Sequence, residues 1–329
     1  MSDRGAVYVL PAVLVLALSF SFSAEAAPRK ATFMPMWSTQ AQFAGYYVAL
    51  DKGIYRKYGI DLSIIPGGPD RSPASYLRDG RVDFTVMWLS TGIRERARGL
   101  RLVNIGQIVQ RSALMLIAKK SSGIRTPEDM NGRRVSIWPG DLSIQPLMFF
   151  RKYHLKVKII PQSFSVNLFL RGGTDVVSAM WYDEYHVILD SGLDPGELTV
   201  FAFRNMPGLN FPEDGIYMLR RTYMKDPALA HAFVKASAEG WAYAFAHPRQ
   251  ALAIVLKQMR REHVPANRMQ QKWMLEKMKD LITSPGRGIG LLKRRAFERV
   301  ARALKAQGVI KSVPRFSDFY IRCVRRAEK

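Results

Sequence analysis

Residues 31–68, ATFMPMWSTQAQFAGYYVALDKGIYRKYGIDLSIIPGG, decide the fold. ATFMPMW reads as a strand, QFAGYYVALDKGIYRKYG as helical turns ending at Gly59, and IDLSIIPGG as a second strand stopped by Pro66, Gly67 and Gly68. Strand, helix and strand in that order form a unit whose crossover helix favours parallel neighbours.

The rhythm continues outward. SPASYLRDGR and GIRERARG are short helices around the strand VDFTVMW, and LRLVNIGQIVQ and ALMLIAKK are further strands. It restarts with RVSIW, LSIQPLMFFRKYH, LKVKIIP, SVNLFLRGG and TDVVSAMWY, again strand and helix in alternation. After FPEDGIYMLR the chain turns almost wholly helical. Asp226 is placed to cap a helix with Pro227 at its first position. Leu229, Ala232, Phe233, Ala236, Gly240, Tyr243 and Ala244 fall on one face of it. Phe297, Val300, Ala301 and Leu304 mark the buried stripe of a later helix, ended by Gly308. Such helices form no core alone, so they are expected to pack back onto the first lobe. The expected organisation is an α/β fold with largely parallel sheets in two lobes. One lobe is residues 27–118 plus 213–329, the other residues 119–212, with a cleft between them where strand carboxyl ends meet.

Residues 1–26 are set apart as a leader. Arg4, the apolar run of residues 6–22 and Ala24-x-Ala26 have the order of a secretory signal peptide, cut near Ala26 for export to the periplasm. Cys323 is the single cysteine, so no intrachain disulfide can form. The five histidines are scattered without metal-ligand spacing, so neither metal nor cofactor is expected. The formal charge of +23 could serve nucleic acid or an anionic surface. Its Lys and Arg residues are spread along the chain with no nucleic-acid module around them, so nucleic acid is not an expected partner. A monomer is expected.

Trp37, Trp88, Trp138 and Trp181-Tyr182 each end an expected strand, where an α/β cleft forms. Any one such ring is more often core than ligand platform, but four at equivalent positions suit a planar ligand, and at least two are expected to face the cleft. Gln42 and Tyr46 lie near Trp37 and join the candidate contacts, in a helix whose buried side is partly ordinary core. The carboxylates of WYDEYH (Asp183, Glu184) and FPEDGIY (Glu213, Asp214) suit a ring bearing an amino group beside a ring nitrogen. Helix N-terminal charge and a turn are the plain alternatives. No nucleophile elbow or dinucleotide-binding glycine pattern occurs, and no enzyme is expected.

MWSTQAQFAGYYVALDKGIYRKYGIDLSIIPGGP, LRDGRVDFTV, MWYDEYHVIL, FPEDGIY and EGWAYAFAHPRQAL together resemble the thiamine-pyrimidine precursor family. That family comprises periplasmic receptors for pyrimidine precursors of thiamine and related fungal pyrimidine synthases. The resemblance spans roughly residues 30–285 and implies a type II periplasmic binding protein fold serving an ABC importer. It implies that Trp37 stacks on the pyrimidine, that Tyr182 and Glu184 come from the opposite lobe, and that Asp214 lies at the hinge side of the cleft. The fungal synthases carry a Cys-rich stretch where this chain has FPEDGIY, and a His where it has WLSTGIRERARG. Lacking both, the chain is expected to bind the pyrimidine without making it. The same architecture serves riboflavin, alkanesulfonate and taurine receptors, which leaves those ligands, and an enzyme of thiamine pyrimidine synthesis, as alternatives.

Overall fold

Residues 27–283 and 289–324 are described in the computed structural model. The expected leader lies outside them. The strands are β1 (Arg29–Met34), β2 (Ile60–Ile64), β3 (Phe84–Trp88), β4 (Leu102–Gln107), β5 (Leu114–Lys119), β6 (Arg134–Ile137), β7 (Lys158–Pro161), β8 (Val176–Met180), β9 (Leu198–Ala202) and β10 (Asp214–Leu219). They form two five-stranded sheets, ordered β2-β1-β3-β10-β4 and β7-β6-β8-β5-β9. Helices cover both, giving two α/β lobes.

The sheets are mixed where largely parallel ones were expected. β10 is antiparallel to β3 and β4, and β5 is antiparallel to β8 and β9, while β1-β2, β1-β3, β6-β7 and β6-β8 are parallel. In each sheet the reversed strand has just arrived from the other lobe. It starts at the cleft, where its neighbours end: Asp214 pairs with Trp88, and Leu114 with Met180. The crossing segments pair with each other, Ile108 and Val109 N–H donating to the Asp214 carbonyl (both 3.0 Å) and Glu213 N–H to that of Val109 (3.2 Å). The first crossing therefore falls in residues 108–113. The expected boundary after 118 had left β5 with the first lobe, because an apolar run shows a strand but not the sheet it joins. β9, in a segment assigned no element from sequence, pairs with β5.

Asp226 caps its helix as expected, accepting from Leu229 N–H at 2.9 Å. That helix, Pro227–Ala246, packs on helix Ala44–Asp51 by a close backbone approach. A β-carbon on Gly45 would lie 2.3 Å from Trp241 Cγ, and one on Gly240 2.2 Å from the Gly45 carbonyl oxygen. Phe84 stacks on Phe233 beneath this crossing, centroids 4.0 Å apart. Gly240→Ala is therefore expected to cost about 1–3 kcal/mol through overpacking. Thermal denaturation should show a Tm lower by several degrees, and an unchanged Tm would contradict the close approach.

Phe297, Val300, Ala301 and Leu304 of helix Arg294–Ala306 are buried with Leu77, Leu102 and Leu219 of the first lobe. Helix Arg268–Ile282 also seats on that lobe, Gln271 Oε1 accepting from Ala41 N–H at 2.7 Å, but it reaches the second lobe as well.

Candidate ligand cleft

The carboxyl ends of β1, β3, β6 and β8 converge on a cavity of about 480 Å³ between the lobes. From the first lobe, the loop after β1 supplies Met36 and Trp37, the turn Ala41–Phe43 supplies Gln42, and β3 ends in Trp88. From the second, Trp138 follows β6, Phe164 lies in the loop after β7, and Tyr182, Asp183 and Glu184 follow β8. Trp37 and Phe164 meet across the cleft with centroids 5.4 Å apart. Trp138 Nε1 donates to the Ser163 carbonyl at 3.0 Å, which fixes its ring. Trp88 Nε1 is buried with no partner among the described residues, a donor left for whatever fills the cavity.

Of the eight candidate residues, Trp37, Gln42, Trp88, Trp138, Tyr182 and Glu184 line the cavity. Tyr46 does not. Its ring sits in the first lobe's core, 4.6 Å from that of Phe33 and edge-on to Trp241, because its helical phase points inward. Asp214 stands behind the wall, Oδ2 accepting from Gln42 Nε2 at 2.9 Å. Trp181 is also turned away, covered by Arg204 at 4.0 Å and by Lys277. The reading missed Phe164, Arg94 and Asp141, all in the wall. Phe164 carried the signal already used for the tryptophans, an aromatic just past a strand's carboxyl end. Arg94 had none in so basic a chain.

The carboxyl groups are buried and strained toward their neutral forms. Burial, then the charge of Asp183, pushes Glu184 well above the usual carboxylate range, although its Oε2 accepts from Met180 N–H at 2.9 Å. Burial, then the neighbouring Asp214, pushes Glu213 up to about 8. Its Oε1 ties the two crossings together, accepting from Ser112 Oγ (3.0 Å) and Ala113 N–H (2.7 Å). Burial also raises Asp214 to about 7 against the opposing Gln42 hydrogen bond. At the rim Asp141 reaches the first lobe, accepting from Thr91 Oγ1 at 2.5 Å and pairing with Arg94. The arrangement can grip a flat ring by its faces and hydrogen-bond its edge with carboxyl oxygens. Among the described residues no group of three or more His, Cys, Asp or Glu side chains could hold a metal ion.

The family model described as NMT1/THI5 like matches residues 40–251. The chain belongs to the NMT1/THI5-like family. Among its relatives in sequence is a Legionella pneumophila protein named 4-amino-5-hydroxymethyl-2-methylpyrimidine phosphate synthase, 23% identical over 69% of this chain and 72% of that one. A Schizosaccharomyces pombe protein of the same name is 24% identical over 32% of this chain and 31% of that one. These names overturn the expectation that the chain is no enzyme, which rested on missing catalytic motifs, those of the fungal proteins among them. In structure this NMT1/THI5-like chain is similar to the periplasmic aliphatic sulphonate binding protein SsuA from Escherichia coli. The TM-score is 0.69 at 18% identity, over 92% of this chain and 95% of that one. The fold is accordingly that of the periplasmic binding proteins, two lobes about a cleft.

Proposed function

We propose that the cleft holds a flat aminopyrimidine of the thiamine-precursor class, and that the chain is a periplasmic receptor passing it to an ABC importer in the inner membrane. The observation that carries this is the shared cavity of Trp37, Trp88, Trp138, Tyr182 and Glu184. Its volume of about 480 Å³ suits a small ligand. The rings offer their faces to a planar heteroaromatic. Burial favours the protonated form of the Glu184 carboxyl, and in that form it can donate O–H to a ring nitrogen and accept from the exocyclic amine beside it. The names of the relatives favour a pyrimidine, and the likeness to a sulphonate-binding protein favours a carrier.

A thermal-shift series tests the ligand class. Hydroxymethylpyrimidine or formylaminopyrimidine at about a hundred times its Kd is expected to add roughly 2.7 kcal/mol of stability. Thiamine, riboflavin, taurine and an alkanesulfonate complete the series. Stabilisation by sulfonates alone would contradict the aromatic cleft as the recognition element.

A second reading has its own support in the names of the curated relatives: synthesis of the pyrimidine phosphate in the same cleft. Appearance of that product from the purified chain would establish it. The two readings share the ligand and differ only in whether it is carried or made.

A further inference from the structure

Helix Arg268–Ile282 lies beyond the residues that the family model matches, yet it touches Asp183, a residue of the cavity wall. Gln271, Met274 and Met278 of this helix are buried on the first lobe's side, while Gln270, Trp273 and Lys277 touch the second lobe. The spacing of these two sets puts them on adjoining faces of one helix. Gln270 Nε2 donates to Asp183 Oδ1 at 2.5 Å and to the Asp183 carbonyl at 3.2 Å. Gln270 Oε1 lies 2.6 Å from His186 Nδ1. Trp273 Nε1 donates to the Trp181 carbonyl at 2.9 Å, and its ring lies 4.8 Å from that of His186.

The edge that carries Tyr182, Asp183 and Glu184 into the cavity is thus held from the opposite lobe. The polarity of the amide follows from its neighbours. The Asp183 carbonyl can only accept, so it takes the NH₂ end, and Oε1 can only accept, so His186 Nδ1 carries the proton. Asp190 Oδ2, 3.2 Å from the same nitrogen, fits that assignment. Separation of the lobes would break both ends of the bridge.

We propose that Gln270 is a positioning residue: by joining His186 to Asp183 from the other lobe, it fixes the Tyr182–Glu184 edge in the cavity and couples that edge to cleft closure. The proposal rests on the cleft being the ligand site, but its structural part can be read without ligand. Backbone amide hydrogen exchange of residues 181–186 in the ligand-free full chain is expected to quicken by up to ~10-fold in Gln270→Ala, the loss of one or two hydrogen bonds. Gln270→Glu supplies the control that a filler side chain cannot. Ionised at pH 8, it sets a carboxylate against Asp183, with the Glu184 and Asp190 carboxyls, the His186 imidazole and the Lys277 ammonium as the other titratable groups around it. At pH 5 the introduced carboxyl and that of Asp183, two like charges in contact, share a proton, and the hydrogen bond between them returns.

Exchange in Gln270→Glu, corrected for intrinsic rate, should therefore be fast at pH 8 and near wild type at pH 5, with no such recovery in Gln270→Ala. Hydroxymethylpyrimidine affinity should follow the same order. Equal exchange in wild type and both variants would overturn the proposal, as would a Gln270→Glu defect that pH does not reverse. If wild type binds none of the pyrimidine probes while the exchange pattern holds, the ligand assignment fails and the bridge stands. Should Gln270→Ala not fold, the pH reversal in Gln270→Glu decides alone.

Discussion

Trp37→Ala is expected to weaken binding of hydroxymethylpyrimidine by ~10- to ~100-fold. Stacking of a base on an aromatic side chain contributes about 1–3 kcal/mol by alanine substitution, and each 1.4 kcal/mol is about tenfold in Kd. Trp37 is half-buried in the loop after β1 and meets Phe164 from the other lobe, so its loss removes a ring face and the contact across the cleft together. Trp37→Phe should recover much of the affinity, since a smaller ring keeps the face. Isothermal titration of the three proteins measures this. Unchanged affinity in Trp37→Ala would remove it from the site.

The second large effect is on stability against pH. Glu213 and Asp214 are raised by burial to about 8 and about 7, above the values of about 4 that carboxyls have in an unfolded chain. Between those limits the folded chain binds more protons than the unfolded one, so stability falls as pH rises. Their contribution is whole below the unfolded pKa, near pH 4, and is lost by about pH 8. Asp175, held low by its hydrogen bond to Arg134, and Glu239, held low by Lys57, act the other way and lose their contribution only in stronger acid.

Greatest stability is therefore expected on the acid side, near pH 5. A unit of displacement corresponds to about 1.4 kcal/mol, so even half the upward displacement is a few kcal/mol. At this chain length that is roughly a 10 °C fall in Tm between pH 5 and pH 9. Glu213→Gln keeps an acceptor for Ser112 and Ala113 and removes the titration. Its Tm should depend less on pH and exceed that of wild type at pH 9. Superimposable curves would show that Glu213 does not titrate as its burial requires.

The elements were legible where their period switches: short apolar runs marked eight of the ten strands, and 3–4 spacing marked the helix after Asp226 and the one ended by Gly308, while helix Pro248–Arg261 went unread behind Pro248. The direction of β5 and β10 was not, because it follows from which lobe the chain has just left, and a run of apolar residues looks the same in either direction. The cleft was legible where one rule applied. Trp37, Trp88 and Trp138 all follow a strand's carboxyl end and all reach the cavity. Tyr46 shows the limit of proximity in sequence, since its helical phase sends the ring into the core. Arg94 with Asp141, and Gln270 with Asp183, acquire their roles only when two lobes distant in sequence are set face to face. Nothing local to either residue carries that.

A crystal structure of the full chain grown with hydroxymethylpyrimidine tests the central reading most directly. The ring is expected in the cavity between the lobes, stacked on Trp37, with its amino group and adjacent ring nitrogen against the Glu184 carboxyl and the Trp88 Nε1–H within reach. An empty cleft at saturating pyrimidine, or a ring bound away from Trp37 and Glu184, would contradict it.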